Sequence, residues 1–416
     1  MHIRPFRGYR YGPAHGTDLT SLVAPPYDQI DPATQERLYA MSPYNVVRLT
    51  LPRDEAGGDR YRAARAVLET WLREGVFARD PAPAIYPYHQ TYRSGGATVT
   101  RRTFIALGEV SEYRQGVVRP HERTHAGPKE DRRRLLEATG ADIGLLFMLV
   151  SDPGGALMRV LSPAGPPVAA ARDLAGEEHR LWRITDRATI AGVQQFMAPR
   201  PVIIADGHHR YETAVEYARS HPAARHKLMA FCSLEGPGLT ILANHRLVRN
   251  VDGLSLDKLA RAARAWFDVT PLADPLTFRP RHRTIGVVVG RQAMTFRLRD
   301  DAVGNIAWPS RTSVAWRELD VSILHEALLK PLLGITDEVL NAGTHVDYTA
   351  DQAEAVEAAR QGRCQAAFLI APTTPAELQA VVQGGEVLPQ KSTHFYPKLL
   401  DGLVFQRLGE EEGDAP

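Results

Sequence analysis

Apolar and polar positions follow two different periods along the chain. Between residues 59 and 72, Tyr61, Ala64, Val67, Leu68, Trp71 and Leu72 recur at helical spacing, which predicts an amphipathic helix. The run before it, Asn45-Val46-Val47-Arg48-Leu49-Thr50-Leu51, is short, apolar and β-branched, and predicts a strand. Residues 84–88 and 103–110 predict two more strands, with Ser94-Gly95-Gly96 as the hairpin turn. Residues 144–150 and 201–205 are apolar runs of strand length. Past Ser255, Leu256, Leu259, Ala263 and Trp266 share one helical face. Residues 284–290 pair naturally with 294–298, a helical run covers 350–360, and 365–371 reads as a buried strand. Such a mixture, with some strands in hairpins, indicates α+β or mixed α/β, not one doubly wound sheet. A soft boundary falls near residue 250. Residues 1–250 are expected to form an N-terminal α/β region holding the active site, 251–408 a C-terminal α/β domain, and 409–416 a flexible acidic tail.

Composition narrows the class of function. A chain of 416 residues suits two or three domains. A formal net charge of +2 sets up no overall field that would recruit nucleic acid or an anionic membrane. Cys232 and Cys364 stand far apart with no Cys-x-x-Cys pair, which suits a reducing compartment and argues against a disulfide framework or that type of zinc site. The first residues lack an apolar core of a secretory signal, and no run of 18 apolar residues occurs, so a cytoplasmic protein that does not span a membrane is expected. A P-loop, a Gly-x-Gly-x-x-Gly turn after a strand and a Gly-x-Ser-x-Gly elbow are all missing from the sequence.

The segment richest in chemistry runs from Val202 to Ala218. An apolar strand leads straight into Asp206-Gly207, after which Tyr211, Ala214, Val215 and Ala218 repeat at helical spacing. Asp206 to Arg210 therefore sits where a strand ends and a helix begins. Free backbone N–H groups and the positive end of the helix dipole attract anions there. Gly207 permits close approach of a ligand, and Arg210 offers a planar fork of donors that matches phosphate. His208 and His209 supply hydrogen bonds or metal ligation. Asp206 is a candidate to cap the helix, hold Mg²⁺ or orient a histidine. The plain alternative is an ordinary Asp206 N-cap beside exposed histidines. Zinc at His208 and His209 is disfavoured, because adjacent helical residues do not point to one spot.

A second cluster is His121-Glu122-Arg123-Thr124-His125, followed by Lys129, Arg132 and Arg133 at the start of a helix expected near Pro128. Cations at a helix start oppose the dipole, which hints at an anionic ligand. Glu122 is a candidate general base for a hydroxyl. A solvated charged helix with a loop is the bland alternative. Asn244-His245-Arg246, and Lys391 with Ser392, Thr393 and His394, are further candidates for the pocket, against readings as ordinary surface segments.

Ala205-Asp206-Gly207-His208-His209-Arg210-Tyr211-Glu212-Thr213-Ala214 resembles the motif of the ParB/sulfiredoxin-like superfamily. Gly207, His209 and Arg210 match the nucleotide-phosphate turn of sulfiredoxins, whose cysteine is replaced here by His208, so sulfinic acid repair is not expected. The Asp-Gly-His type of turn in archaeal free-serine kinases is closer still. With Ala24-Pro25-Pro26-Tyr27-Asp28 and Lys391-Ser392-Thr393-His394-Phe395-Tyr396-Pro397-Lys398, the whole chain resembles an uncharacterised bacterial and archaeal family. The resemblance implies a ParB/sulfiredoxin-like core with an added C-terminal α/β domain, and a phosphate or nucleotide site; the leading expectation built on it is a small-molecule phosphotransferase that uses ATP, ADP or pyrophosphate, with Mg²⁺. Free L-serine is the first acceptor to test. In that reading Glu122, Asp206 and His209 are catalytic; Gly207, His208, Arg210, Lys129, Arg132 and Thr124 hold phosphate or nucleotide; His121, Tyr27 and Asp28 meet the substrate. A small molecule is the expected partner, with a homodimer compatible and nucleic acid disfavoured. The alternative is a ParB-like nucleotide-binding switch or nucleic-acid-associated protein.

Overall fold

The chain leaves its first unit twice and ends inside it. That unit comprises Met1–Pro120, Thr124–Thr240 and Pro397–Pro416; the second comprises His121–Arg123 and Ile241–Tyr396. The computed structural model describes residues 1–54, 58–122, 127–222 and 224–410. Thr124, His125 and residues 411–416 of the acidic tail lie outside them. The fold is mixed α/β. Among the described residues no helix is long and apolar enough to cross a membrane.

In the first unit nine described strands form one mixed sheet. Its middle is Leu146–Val150, parallel to His226–Ser233, which runs antiparallel to Ala97–Glu109. On the other side Leu146–Val150 pairs antiparallel with Val202–Asp206. Leu146–Val150, Val202–Asp206 and His226–Ser233 are buried along nearly their whole length, so they read as apolar runs with little alternation. The expected hairpin joins Tyr86–Ser94 to Ala97–Glu109. Its two turn residues, Gly95 and Gly96, have φ of 57° and 84°, as a two-residue turn matched to strand twist requires. The helix Arg60–Arg73 lies where its periodicity places it, capped by Asp59, and buries Ala64, Leu68 and Trp71.

The second unit holds a six-stranded antiparallel sheet in the order Phe267–Pro271, Gln292–Leu298, Thr284–Val289, Ala366–Leu369, His245–Val248, Val346–Thr349. The expected hairpin is its Thr284–Val289 and Gln292–Leu298 pair. Ser255 and Asp351 cap the helices Leu256–Ala263 and Gln352–Arg360, whose buried faces carry Leu256 and Leu259, and Ala355 and Val356.

One strand expectation fails. Residues 45–51 contain a single helical turn, Val47–Thr50, with Val46, Val47 and Leu49 fully buried. A short apolar run cannot be assigned by period alone. Here Asn45 decides it: its Oδ1 accepts from Val47 N at 3.0 Å, which starts the turn. Its Nδ2 donates to Ser21 O at 2.9 Å and Val23 O at 3.0 Å. Asn45→Ala leaves the buried Val23 carbonyl and the more exposed Ser21 carbonyl without this donor, and we expect a loss of about 1–3 kcal/mol in urea unfolding. A change within experimental scatter would show that the side chain does not set this turn.

Candidate functional site

The strand Val202–Asp206 is not regular to its end. Its register against Leu146–Val150 shifts between Ile204 and Asp206, so Ala205 is an extra, bulged residue. Such a bulge re-aims the side chain that follows. Gly207 then takes φ 96° and ψ 28° and acts as N-cap of the helix His208–Ser220, with no side-chain capping bond. Asp206 is therefore not the cap. A Cβ on Gly207 would lie 2.7 Å from Leu146 Cδ2 and 3.1 Å from Arg210 Nε and Nη2. The Arg210 guanidinium thus folds back over the Gly207 backbone, and its donors share one spot with a helix start that no side chain caps.

Charge is dense around this turn. Asp206 Oδ2 lies 3.4 Å from Lys398 Nζ, and Asp206 Oδ1 lies 3.9 Å from Arg210 Nη2. Burial opposes the Asp206 charge, but Lys398, Arg210 and His208 outweigh it and hold the carboxyl well below its usual range. Arg210 is itself buried, and its Nη1 donates to Leu145 O at 2.6 Å. Burial disfavours its charge, yet the carboxylates of Asp206, Asp28 and Asp401 raise its affinity for a proton further.

Arg210 also lines a recess of about 80 Å³, whose other walls include Tyr27, Arg132, Asp142, Lys227 and Asp401. The Arg132 guanidinium carbon stands 4.0 Å from the centre of the Tyr27 ring, and Arg132 Nη1 donates to Thr50 O at 2.6 Å. Lys227 pairs with Asp142 and donates to Gly144 O at 2.9 Å. Burial lowers the Lys227 pKa and Asp142 counters it. Asp401 is 3% exposed, and its Oδ1 is buried without a hydrogen-bond partner. Burial pushes its carboxyl up to about 7 against the pull of Arg210 and Lys227.

Of the residues singled out from sequence, the structure gathers Tyr27, Arg132, Asp206, Gly207, His208, His209 and Arg210 in the first unit. Asp28 is exposed there, with its charge felt by Arg210, Tyr27 and Asp401. Lys129 is ion-paired with Glu212 and lines a separate hollow with Tyr113 and Tyr211. His121 and Glu122 belong to the second unit. His121 Nε2 lies 2.8 Å from Thr393 Oγ1, and Glu122 accepts from the Lys391 backbone N–H. Arg246, also there, is fully buried, and burial pushes it down to about 10 despite Tyr348 and Glu122. Thr124 lies outside the described residues.

Sequence reasoning missed Lys398, Lys227, Asp142 and Asp401. One signal was present: Asp401 is a lone acid in the apolar run Leu399-Leu400-Asp401-Gly402-Leu403-Val404-Phe405. Among the described residues no group of three or more His, Cys, Asp or Glu side chains is placed to hold a metal. A Mg²⁺ ion bound through one carboxylate, phosphate oxygens and water needs no such group, and Asp206 fits that donor set.

A family model described as a protein of unknown function (DUF1015) matches residues 3–322. No curated protein matches the chain. Among solved structures, a free serine kinase in complex with AMP aligns over 71% of this chain and 90% of its own, with 13% identity and a TM-score of 0.38. A conserved hypothetical protein from Pyrococcus furiosus aligns over 69% and 90%, with 13% identity and a TM-score of 0.36. SbnI with C-terminal truncation from Staphylococcus aureus aligns over 71% and 85%, with 12% identity and a TM-score of 0.37.

Two outcomes follow from this geometry. Gly207→Ala places a β-carbon at positive φ against Leu146, and should cost about 2–4 kcal/mol in chemical denaturation; an unaffected midpoint would contradict the described turn. For Asp401, a native pKa near 7 exceeds the unfolded value, about 3.9. Between these values the native state holds a proton that the unfolded state has lost. Stability from this group is therefore full at acid pH and falls as pH rises to 7, by up to about 4 kcal/mol. Asp401→Asn cannot titrate, so its stability relative to the natural protein should rise steadily from pH 4.5 to 7.5. A difference that stays flat with pH would place the Asp401 carboxyl in an ordinary environment.

Proposed function

The chain belongs to the DUF1015 family, described as proteins of unknown function, and on that premise we propose a function from its own residues: a small-molecule phosphotransferase whose donor phosphates rest on the turn at Gly207. The observation that carries this reading is the Arg210 guanidinium lying over an uncapped helix start. Backbone N–H groups of the first turn and the Arg210 fork together match the oxygens of one phosphate group. Arg132, Tyr27 and Asp28 stand beside it for the acceptor. His208 and His209 flank the phosphate, and Asp206 orients them or holds Mg²⁺, which would shield phosphate charge. Lys129 joins only by releasing Glu212. Glu122, nominated from sequence as proton acceptor, stays a candidate for that step.

Phosphoryl transfer needs little covalent work from a protein. It needs the donor and the attacking oxygen held in line and the developing charge neutralised. The donor is ATP, ADP or pyrophosphate, and L-serine is the first acceptor to try. Calorimetry with each donor, with and without Mg²⁺, should give binding that Arg210→Ala weakens about 10–100-fold, through loss of charge-assisted hydrogen bonds. Arg210→Lys, which keeps the charge and loses the fork, should recover only part of it. Phosphoserine formed from serine and one donor would establish the acceptor. No binding of any phosphate compound would sink the proposal. Binding without transfer in either direction would remove serine and favour the nucleotide-binding switch.

A further inference from the structure

Asp401 has a structural setting that its packing does not explain. Leu400, Leu403, Val404 and Phe405 around it in sequence are all buried. Its backbone is fully engaged: its N–H donates to Ala24 O at 2.9 Å and its carbonyl accepts from Ala24 N at 3.2 Å. Its carboxyl receives the Leu145 backbone N–H. The other oxygen, Oδ1, is buried and meets no donor. An unpaired carboxyl oxygen in the interior is costly, and such groups concentrate at working sites.

The groups around this carboxyl come from every wall of the recess. Arg210 belongs to the helix His208–Ser220, Lys227 to the strand His226–Ser233, and Arg132 to the helix Gly127–Thr139. Asp142 comes from the strand Ala141–Asp142, and Tyr27 and Asp28 from the turn Tyr27–Gln29. Lys227 is committed to Asp142, and Arg132 to Asp131 and Thr50. A recess of about 80 Å³ has room for two or three water molecules, or for a short hydroxyl-bearing arm.

We infer that Asp401 is the proton acceptor of the turn site, taking the proton of a small acceptor's hydroxyl as that oxygen attacks the donor's terminal phosphorus. The inference rests on the phosphotransferase reading. In the step the acceptor O–H bond breaks and its proton passes to the Asp401 carboxylate. The oxygen's electron pair forms the new O–P bond. The old P–O bond breaks, and its electron pair leaves with the shortened nucleotide or with phosphate. A carboxyl that titrates near 7 is suited to this work at neutral pH.

The test uses the full chain, ATP, ADP and pyrophosphate as donors, and L-serine or water as acceptor, with phosphoserine and phosphate release as readouts. In the natural protein kcat/KM should climb with pH through a limb near 7. Asp401→Asn should keep donor affinity within about threefold by calorimetry, lower kcat about 10²–10⁴-fold and lose that limb. Asp401→Glu, which restores a carboxylate, should recover part of the rate and the limb. Glu122→Gln, assayed alongside, decides between the two carboxylates: if it removes the limb and Asp401→Asn does not, the inference is overturned while the phosphate site stands. A natural protein with no limb between pH 6 and 8 overturns it without any variant. Donor binding with no transfer to serine or water also overturns it. Absence of donor binding overturns the phosphotransferase reading, and this inference with it.

Discussion

A guanidinium buried as deeply as Arg210 must be surrounded by acceptors, because an uncompensated charge in the interior is not tolerated. Its helix cannot supply them alone. Leu145 O, the one acceptor hydrogen-bonded to it here, comes from the chain just before the neighbouring strand; the opposing charges come from Asp206 at the end of the preceding strand, Asp28 in the N-terminal segment and Asp401 at the far end of the chain. Four stretches distant in sequence are thus tied to one side chain. Much of the first unit's connectivity meets this requirement, including its recovery of Pro397–Pro416 after the second unit is complete.

The returning segment does more than close the fold. Arg101, fully buried, donates to Pro397 O, and Gln90 donates to Lys398 O at 2.8 Å. These bonds fix the backbone that presents Lys398 to Asp206. Three residues further on, the pairing with Ala24 fixes Asp401. Both side chains therefore ride on a backbone held from two sides by the sheet and the N-terminal segment. A site that must aim several charges within a few tenths of an ångström needs such support.

How far the sequence reveals this depends on distance along the chain. The strand, the glycine and the helix at residues 202–220 are local, so periodicity and the positive-φ preference of Gly207 expose them. The helix at Arg60–Arg73 and both hairpins are legible for the same reason. Residues 45–51 are not, because Asn45 settles their conformation through bonds to Ser21 and Val23, more than twenty residues away. Lys227 and Asp142 are invisible for a related reason: each is an unremarkable charge until the sheet buries them as a pair. Lys129 illustrates the converse. Its place at a helix start suggests an anion, but Glu212 on the neighbouring helix already supplies one. Asp401 lay between these cases, since a single acid among leucines and valines is a local anomaly that points to a tertiary partner.

The charges around the turn set what a phosphate bound there, as proposed, would meet. Lys227 is balanced by Asp142, and Arg132 shares Asp131 with Arg60; nearest the turn, Arg210 and Lys398 face Asp206, Asp28 and Asp401. With Asp401 protonated the two cations meet two carboxylates and the sum is zero; with Asp401 ionised it is negative. The helix start adds only about half a positive charge. A polyphosphate would therefore be drawn in by oriented N–H groups and the Arg210 fork, with no surplus of positive charge among these five groups. Two consequences follow from the same sum. A divalent cation accompanying the donor would supply the missing charge, and Asp206 would meet it by giving up part of its pairing with Lys398. A bound phosphate would also raise the proton affinity of Asp401, because its negative field disfavours a second anion nearby.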